Sequence, residues 1–470
     1  MSDVRPRTPN RVRTAIIDPV LGFIRAETTG GIVLLAATLV ALLWANSPVR
    51  GSYDAVWETR IGLGAGPLEL AGNLRHLVDD GLMTLFFFVV GLEIKRELVV
   101  GALRDRRAAA LPLVAALGGV LLPAAIFLAV AGVEGTRAGW GIPIATDIAF
   151  AVGVLALLGR RVPPGCKLLL LSIAIVDDVI AILVIAIFYS VEPSTAWLWL
   201  GLAGTAVVIM LRRLGVGHIW PYTLVGLVTW YAVYRSGVHA TIAGVVLALL
   251  TPARPVHGRD VLGRLQRRLH PVSAFAVVPL FALANAGVDL RGGALADATT
   301  SRVAWAVATG LVLGKLLGIG TATSLAVRSR IGVLPAGMTQ RDVWGVAALA
   351  GIGFTVSLFI TRLAYDDSAL VDEATIGIFV GSLLSGLVGA RLLVRGHGRG
   401  GERDIPPSAP TVTSSLNPSS SGATSTEAGR GLYRDDRSPI MDSALLTATR
   451  ATGTGRLRWP AWWARSATRS

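Results

Sequence analysis

Cysteine is almost absent: Cys166 is the single one in 470 residues. That excludes an intramolecular disulfide and a cysteine metal cluster. Charge is also scarce. Only 16% of the residues are Asp, Glu, Lys or Arg, against 53% that are hydrophobic, whereas soluble domains carry about 25% charged residues. The composition is that of a polytopic membrane protein. Acidic residues are the scarcer sign, 30 against 44 Lys and Arg, for a formal net charge of +14. This surplus does not call for nucleic acid, because the basic residues gather in short loops and in the C-terminal segment. Positive charge on cytoplasmic loops is the simpler account. The first apolar run is also without a convincing small-residue cleavage site. The first strongly apolar run begins near Gly31 after a basic segment and reads as a retained transmembrane helix.

What the chain does have is a succession of long apolar runs. Residues 1–28 are polar and basic, with a short amphipathic stretch around Ile16–Ile24, and form a cytoplasmic N-terminal segment. Apolar periodicity then places about twelve spans. Spans 1 to 4 lie near 31–46, 80–100, 108–132 and 140–159, and spans 5 to 8 near 168–190, 196–211, 219–234 and 237–251. Spans 9 to 12 lie near 272–288, 303–326, 343–363 and 374–394. Between spans 1 and 2, residues 52–72 show strand-like alternation over Val56–Ile61, a Gly-Ala-Gly-Pro turn at 64–67 and Leu68-Glu69-Leu70. That pattern predicts an extramembrane β-hairpin, whose edge could pair with a second subunit. Loops 2–3, 4–5, 6–7, 8–9 and 10–11 are rich in Lys and Arg, while the intervening ones are poor in them or acidic. The alternation predicts that both termini are cytoplasmic. Beyond Arg395 the composition turns to Gly, Ser, Thr, Pro and Arg. Residues 396–470 are therefore expected to be a disordered basic tail, outside a membrane domain of residues 29–395.

Against this apolar background a few polar residues stand out. Span 5, SIAIVDDVIAILVIAIFY over 172–189, carries Asp177 and Asp178 side by side. A charge at membrane depth costs several kcal/mol, so such residues usually face a cavity and handle an ion or a proton. Neighbours on a helix point about 100° apart, so the two carboxylates cannot occupy the same position in one site. Span 4 carries Gly139, Gly141 and Pro143 just before Thr146 and Asp147, and span 11 carries Gly351 and Gly353 just before Thr355 and Ser357. Helix interruptions at membrane depth are tolerated only where they are buried in protein or line a cavity. Their presence in two corresponding spans points to a transporter site, although small residues alone would also serve close helix packing. Lys315, deep in span 10, needs a partner or must deprotonate, and Asp177, Asp178 and Asp147 are all available as partners. His239, at the start of span 8, reads as a structural hydrogen bond at a helix start or as a pH-responsive group. The cluster Glu93, Lys95, Arg96 and Glu97 at the end of span 2 is a pH-responsive patch or an anchored helix end.

The stretches LFFFVVGLEIKREL (85–98), ATDIAF (145–150), AIVDD (174–178), SGVHAT (236–241), PLFALANAG (279–287) and GIGFT (351–355) occur in that order. Together they resemble the NhaA-type Na⁺/H⁺ antiporters, over roughly residues 15–395. The resemblance implies an all-α polytopic fold of twelve helices with inverted repeats, in which the interrupted spans 4 and 11 cross. It implies Asp178 as the principal ligand of a transported Na⁺ or Li⁺ and proton carrier, Asp177 beside it, Lys315 as the partner of Asp177, and Asp147 with Thr146 where the broken helices cross. It further implies exchange of two protons for one Na⁺ or Li⁺ in pH and sodium homeostasis, with no enzymatic activity and no cofactor. Residence in the bacterial inner membrane and a homodimer formed through hairpin 52–72 belong to the same expectation. The chain departs from the pattern at Leu316, where a proline usually follows the lysine, and in loop 8–9, Leu265–His270, which lacks the acidic residue of some relatives.

Elementary chemistry agrees with that expectation. A carboxylate in a dry site holds a proton near neutral pH, and Na⁺, a hard cation, seeks the same oxygens. Competition between proton and cation for one set of oxygens is exchange. A symporter of organic anions built on broken helices is a weaker alternative. An intramembrane aspartyl protease needs two Asp on separate helices, whereas here the acidic pair is adjacent on one helix and Gly351–Phe354 carries no Asp.

Overall fold

The computed structural model describes residues 18–63, 70–132, 135–190, 194–253, 260–291 and 293–397, with the side chains from residue 29 onward except at 63, 70, 71, 102, 106, 160, 294, 396 and 397. The tail beyond residue 397 and the hairpin tip lie outside the described residues. The described apolar runs form helices, two of them interrupted. Among the described residues six helices are long and apolar enough to cross a bilayer: Arg107–Ala131, Pro164–Phe188, Thr195–Arg213, Val261–Asn285, Arg302–Arg328 and Ser368–Arg395. The number rises to nine if each sharply bent helix pair counts as one span. Spans 2, 7 and 8 contribute shorter helices, Met83–Val99, Ile219–Arg235 and Ala240–Leu250. The protein is thus a multi-pass, helical membrane protein.

The stretch between spans 1 and 2 holds an antiparallel strand pair as expected, but its first part is helical. Residues Arg50–Trp57 form a helix, bent 115° from the Thr29–Ala45 helix. The strand-like pattern is overridden at Val56 and Trp57 because Tyr53 and Trp57, four residues apart, bury one helical face. Tyr53 Oη also donates to the carbonyls of Leu283 and Ala284 at 2.9 and 3.0 Å, and its ring meets that of Trp44 edge-on at 5.4 Å. What remains of the hairpin is a two-stranded antiparallel ribbon, β1 (Arg60–Leu63) and β2 (Leu70–Asn73), with Arg60 opposite Asn73 and Leu63 opposite Leu70.

Two buried apolar clusters flank the middle of the molecule. One joins Ile142, Ala145, Ile182, Ile185, Phe354 and Phe359; the other joins Ala151, Val152, Ile173, Val346, Ala347 and Ile352. The first half of span 4 therefore packs with the second halves of spans 5 and 11, and the second half of span 4 with their first halves. Thr146, Asp147, Asp177 and Asp178 fall in the sequence between the two groups. Spans 3 and 10 approach backbone to backbone: a Cβ on Gly118 would lie 2.3 Å from the Gly318 carbonyl oxygen. In lipid, where apolar surface gives no preference for protein over tails, such small-residue contacts let helices associate. This one brings the backbone just after Lys315 against span 3.

Candidate ion-binding site

Both interruptions read from the sequence are present, and they meet. In span 4 a 3-10 helix, Thr136–Ile144, gives way to extended residues 145–147 before the helix Ile148–Leu158. In span 11 the helix Gln340–Leu349 stops and Phe354–Ala364 begins after the glycines. The two halves are bent by 41° and 47° respectively. Backbone groups freed by one break are satisfied by the other. Asp147 N donates to Ile352 O at 2.6 Å, and Thr146 Oγ1 lies 2.8 Å from Ala350 O. The Asp147 carboxylate serves two helix starts at once. Its Oδ1 accepts from Phe150 N at 3.1 Å, and its Oδ2 accepts from Thr355 N at 3.1 Å and Thr355 Oγ1 at 2.7 Å. A carboxylate at a helix N-terminus takes up orphan amides and faces the positive end of the dipole; Asp147 does so for two helices.

Of the three acidic partners open to Lys315, the structure selects Asp177. Lys315 is fully buried, and its Nζ lies 2.7 Å from Asp177 Oδ2, 2.5 Å from Ile144 O and 3.1 Å from Thr146 Oγ1. An ammonium has three donors, and all three are used. Thr146 Oγ1 also stands 2.8 Å from Asp177 Oδ2, so its single proton is shared between that oxygen and Ala350 O. The other oxygen, Asp177 Oδ1, is buried and has no hydrogen-bond partner among the described residues. The direction of Lys315 depends on the π turn Gly310–Gly314 immediately before it, since a wide turn rotates every residue that follows.

Asp178 is different. It is 4% exposed, yet no described residue hydrogen-bonds its carboxyl. A buried carboxyl without a partner is a ready ligand for a proton or a cation. Among the described residues no three His, Cys, Asp or Glu side chains are grouped to hold a metal ion. A cation here would draw on two carboxylates and on neutral oxygens. Beside the breaks, a cavity of about 80 Å³ is lined by Asp147, Thr355, Glu93, His270 and Ser273 among others.

The model of the Na⁺/H⁺ antiporter 1 family matches residues 22–393. The chain belongs to this family. An NhaA Na⁺/H⁺ antiporter of Acidovorax sp. (strain JS42) is 49% identical over 372 residues, covering 77% of this chain and 89% of that protein. That of Shewanella loihica is 45% identical over 373 residues, covering 79% and 95%. The Na⁺/H⁺ antiporter NhaA 3 of Frankia alni is 45% identical over 422 residues, covering 83% and 91%.

Within this antiporter-family chain the remaining predicted residues separate. Glu93 lines the cavity and lies 3.9 Å from His270 Nε2. Lys95 and Glu97 are half-buried and Arg96 is exposed on the same helix, and none of them lines the cavity. His239 precedes the Ala240–Leu250 helix, and its Nε2 bonds the carbonyl of Tyr189; it holds the end of span 5, eleven residues from Asp178. Sequence reasoning named Thr355 beside the span 11 glycines but gave it no role, and it did not single out His270 or the Ile144 carbonyl. Thr355 had a signal, a hydroxyl directly after Gly-Ile-Gly-Phe. A backbone oxygen has none.

Proposed function

We propose that this protein exchanges Na⁺ for H⁺ across the membrane, as the names of its relatives state for them, with Asp178 as cation ligand and proton carrier. The observation that carries the reading is the unpartnered carboxyl of Asp178 beside an Asp177 already held by Lys315. With Asp178 protonated and the Asp177–Lys315 pair intact, the three groups are neutral together. When Na⁺ enters, Asp178 gives up its proton. Lys315 gives up a second, which frees Asp177 to join Asp178 and Thr146 around the cation. The site then carries a net charge of −1 including Na⁺, so two protons for one Na⁺ moves charge. A membrane potential drives such a cycle by about 2.3 kcal/mol per charge per 100 mV. Li⁺, with the same charge and the same preference for oxygen, is a substrate on the same grounds.

The same reading takes the membrane domain as residues 29–395 with twelve spans, spans 4 and 11 running antiparallel and crossing at Asp147. The opposite halves shared by the two apolar clusters support that arrangement. The loop charges support cytoplasmic termini in a bacterial inner membrane, and the β1–β2 ribbon offers an edge for a homodimer. The role is export of sodium in pH and sodium homeostasis, with Glu93 and His270 at the cavity as its pH-responsive entrance.

The test is Na⁺-induced collapse of a pH gradient in everted vesicles, for the unaltered protein and Asp178→Asn. Collapse by Na⁺ or Li⁺ that disappears in Asp178→Asn at equal protein level supports the reading. Unchanged exchange in Asp178→Asn sinks the proposed site, and no response by the unaltered protein sinks the substrate.

A further inference from the structure

The 3-10 half of span 4 is nine residues long, Thr136–Ile144. Runs of this kind beyond three or four residues are uncommon, because the i→i+3 bonds are poorly directed and side chains eclipse. Something outside the segment must hold it. Among the described residues four of its carbonyls each accept a side-chain hydrogen bond from another span. Tyr365 Oη donates to Thr136 O at 2.6 Å, and Tyr189 Oη donates to Ala138 O at 2.6 Å. Ser357 Oγ donates to Ile142 O at 2.7 Å, and Lys315 Nζ donates to Ile144 O at 2.5 Å. Tyr189 Oη also accepts from Gly141 N at 3.1 Å. The tyrosines reach the backbone because glycines stand opposite them. A Cβ on Gly139 would come 2.2 Å from Tyr365 Oη, and one on Gly141 2.7 Å from Tyr189 Oη.

We infer that Tyr189 and Tyr365 are positioning residues of the ion site: by clamping the far end of Thr136–Ile144 in the 3-10 form, they keep Ile144 O on the Lys315 ammonium. The inference rests on the exchange reading for its consequence in transport, and on geometry alone for the link itself. Tyr189 ends the helix that carries Asp177 and Asp178, and Tyr365 ends the helix that begins at Phe354. The clamp therefore ties the short segment to the two helices that build the site. A 3-10 helix rises about 2.0 Å per residue and an α-helix about 1.5 Å. Relaxation of nine residues to α would shorten the segment by about 4 Å and withdraw Ile144 O from Lys315. With one acceptor fewer, the ammonium is held less firmly on Asp177, and Na⁺ displaces it more readily.

The experiment compares Tyr189→Phe and Tyr365→Phe, each alone and combined with Lys315→Met, in the full-length protein. In proteoliposomes, each phenylalanine variant should lower the apparent KM for Na⁺ by about threefold or more, the scale of one hydrogen bond, with a smaller change in maximal rate. In detergent, each should lower Tm by a few degrees, and the loss should largely vanish once Lys315 is Met. An unchanged KM, or the same Tm loss with and without Lys315, overturns the inference and leaves the tyrosines as local staples. Should Lys315→Met be unrecoverable, Ser357→Ala takes its place, removing the bond to Ile142 O that lies along the segment between the clamped end and Ile144, with the same non-additivity expected. If the unaltered protein shows no Na⁺-dependent proton flux, the exchange reading fails, while the Tm cycle still decides the positioning link.

Discussion

Lys315 Nζ lies 2.7 Å from Asp177 Oδ2, and neither side chain is exposed. A buried ion pair contributes little net stability, because desolvation offsets the attraction, but removing one partner leaves the other charge stranded at a cost of about 3–5 kcal/mol. The pair therefore acts as a constraint: neither charge can be lost unless the other is lost too or a new charge takes its place. That is the property the proposed cycle uses when Na⁺ replaces the ammonium.

Lys315→Met should accordingly lower stability by about 3 kcal/mol, and Asp177→Asn in the same background should restore a large part of it, since no lone charge remains. Thermal unfolding in detergent, followed by the intrinsic fluorescence of the tryptophans, checks both. A double variant less stable than Lys315→Met alone would contradict the pairing.

Asp147 caps two helices with its two oxygens. Losing an N-cap costs about 1 kcal/mol, so Asp147→Ala should lose about 2 kcal/mol, one for Phe150 N and one for Thr355 N. Asp147→Asn keeps one acceptor oxygen and should lose about half as much. Melting of the two variants side by side decides this; equal losses would mean that only one of the two helix starts depends on the carboxylate.

How much of this was legible in the residues alone differs from element to element. Asp147, Asp177, Asp178 and Lys315 stand out because ionisable groups are so costly in apolar runs, and the two breaks because Gly and Pro mark them. The choice of Asp177 for Lys315 came from the family resemblance and not from the residues themselves, among which three carboxylates qualified. Nor was the helix Arg50–Trp57 legible, where the strand-like pattern at Val56 and Trp57 yields once Tyr53 and Trp57 find a buried face. Tyr189 and Tyr365 escaped notice because their partners are backbone carbonyls, which every residue has. Position along a chain says little about which carbonyls a 3-10 turn leaves in reach.

The contact of spans 3 and 10 makes its own prediction. A side chain at Gly118 meets the Gly318 carbonyl and cannot push it aside, as backbone has no rotamer to yield. Gly118→Val should cost about 1–3 kcal/mol by overpacking and shift Lys315 with its helix, reducing exchange as well as Tm. Gly153→Ala is the control: a Cβ there meets nothing within 4 Å, and alanine in the helix interior should be neutral or stabilising by up to about 1 kcal/mol. Comparable losses at both positions would sink the argument from close approach.

A last prediction concerns pH and lies outside the spans. His76 sits in the turn of helix Leu74–Leu77, with Nε2 3.0 Å from Asp80 Oδ2. The hydrogen bond to Asp80 raises the pKa of the imidazole above its ordinary value. A group whose folded pKa is raised contributes stability that is fully present below its unfolded pKa, about 6.5, and is lost as pH rises through the folded value. His76→Gln should therefore lower Tm at about pH 6, and the difference from the unaltered protein should close as pH climbs past the ordinary histidine range. The side chain is half exposed, so the effect is small and should shrink further in high salt. A Tm difference that is constant across that range would show that His76 contributes through packing against Tyr234, whose ring lies 6.1 Å away, and not through its charge.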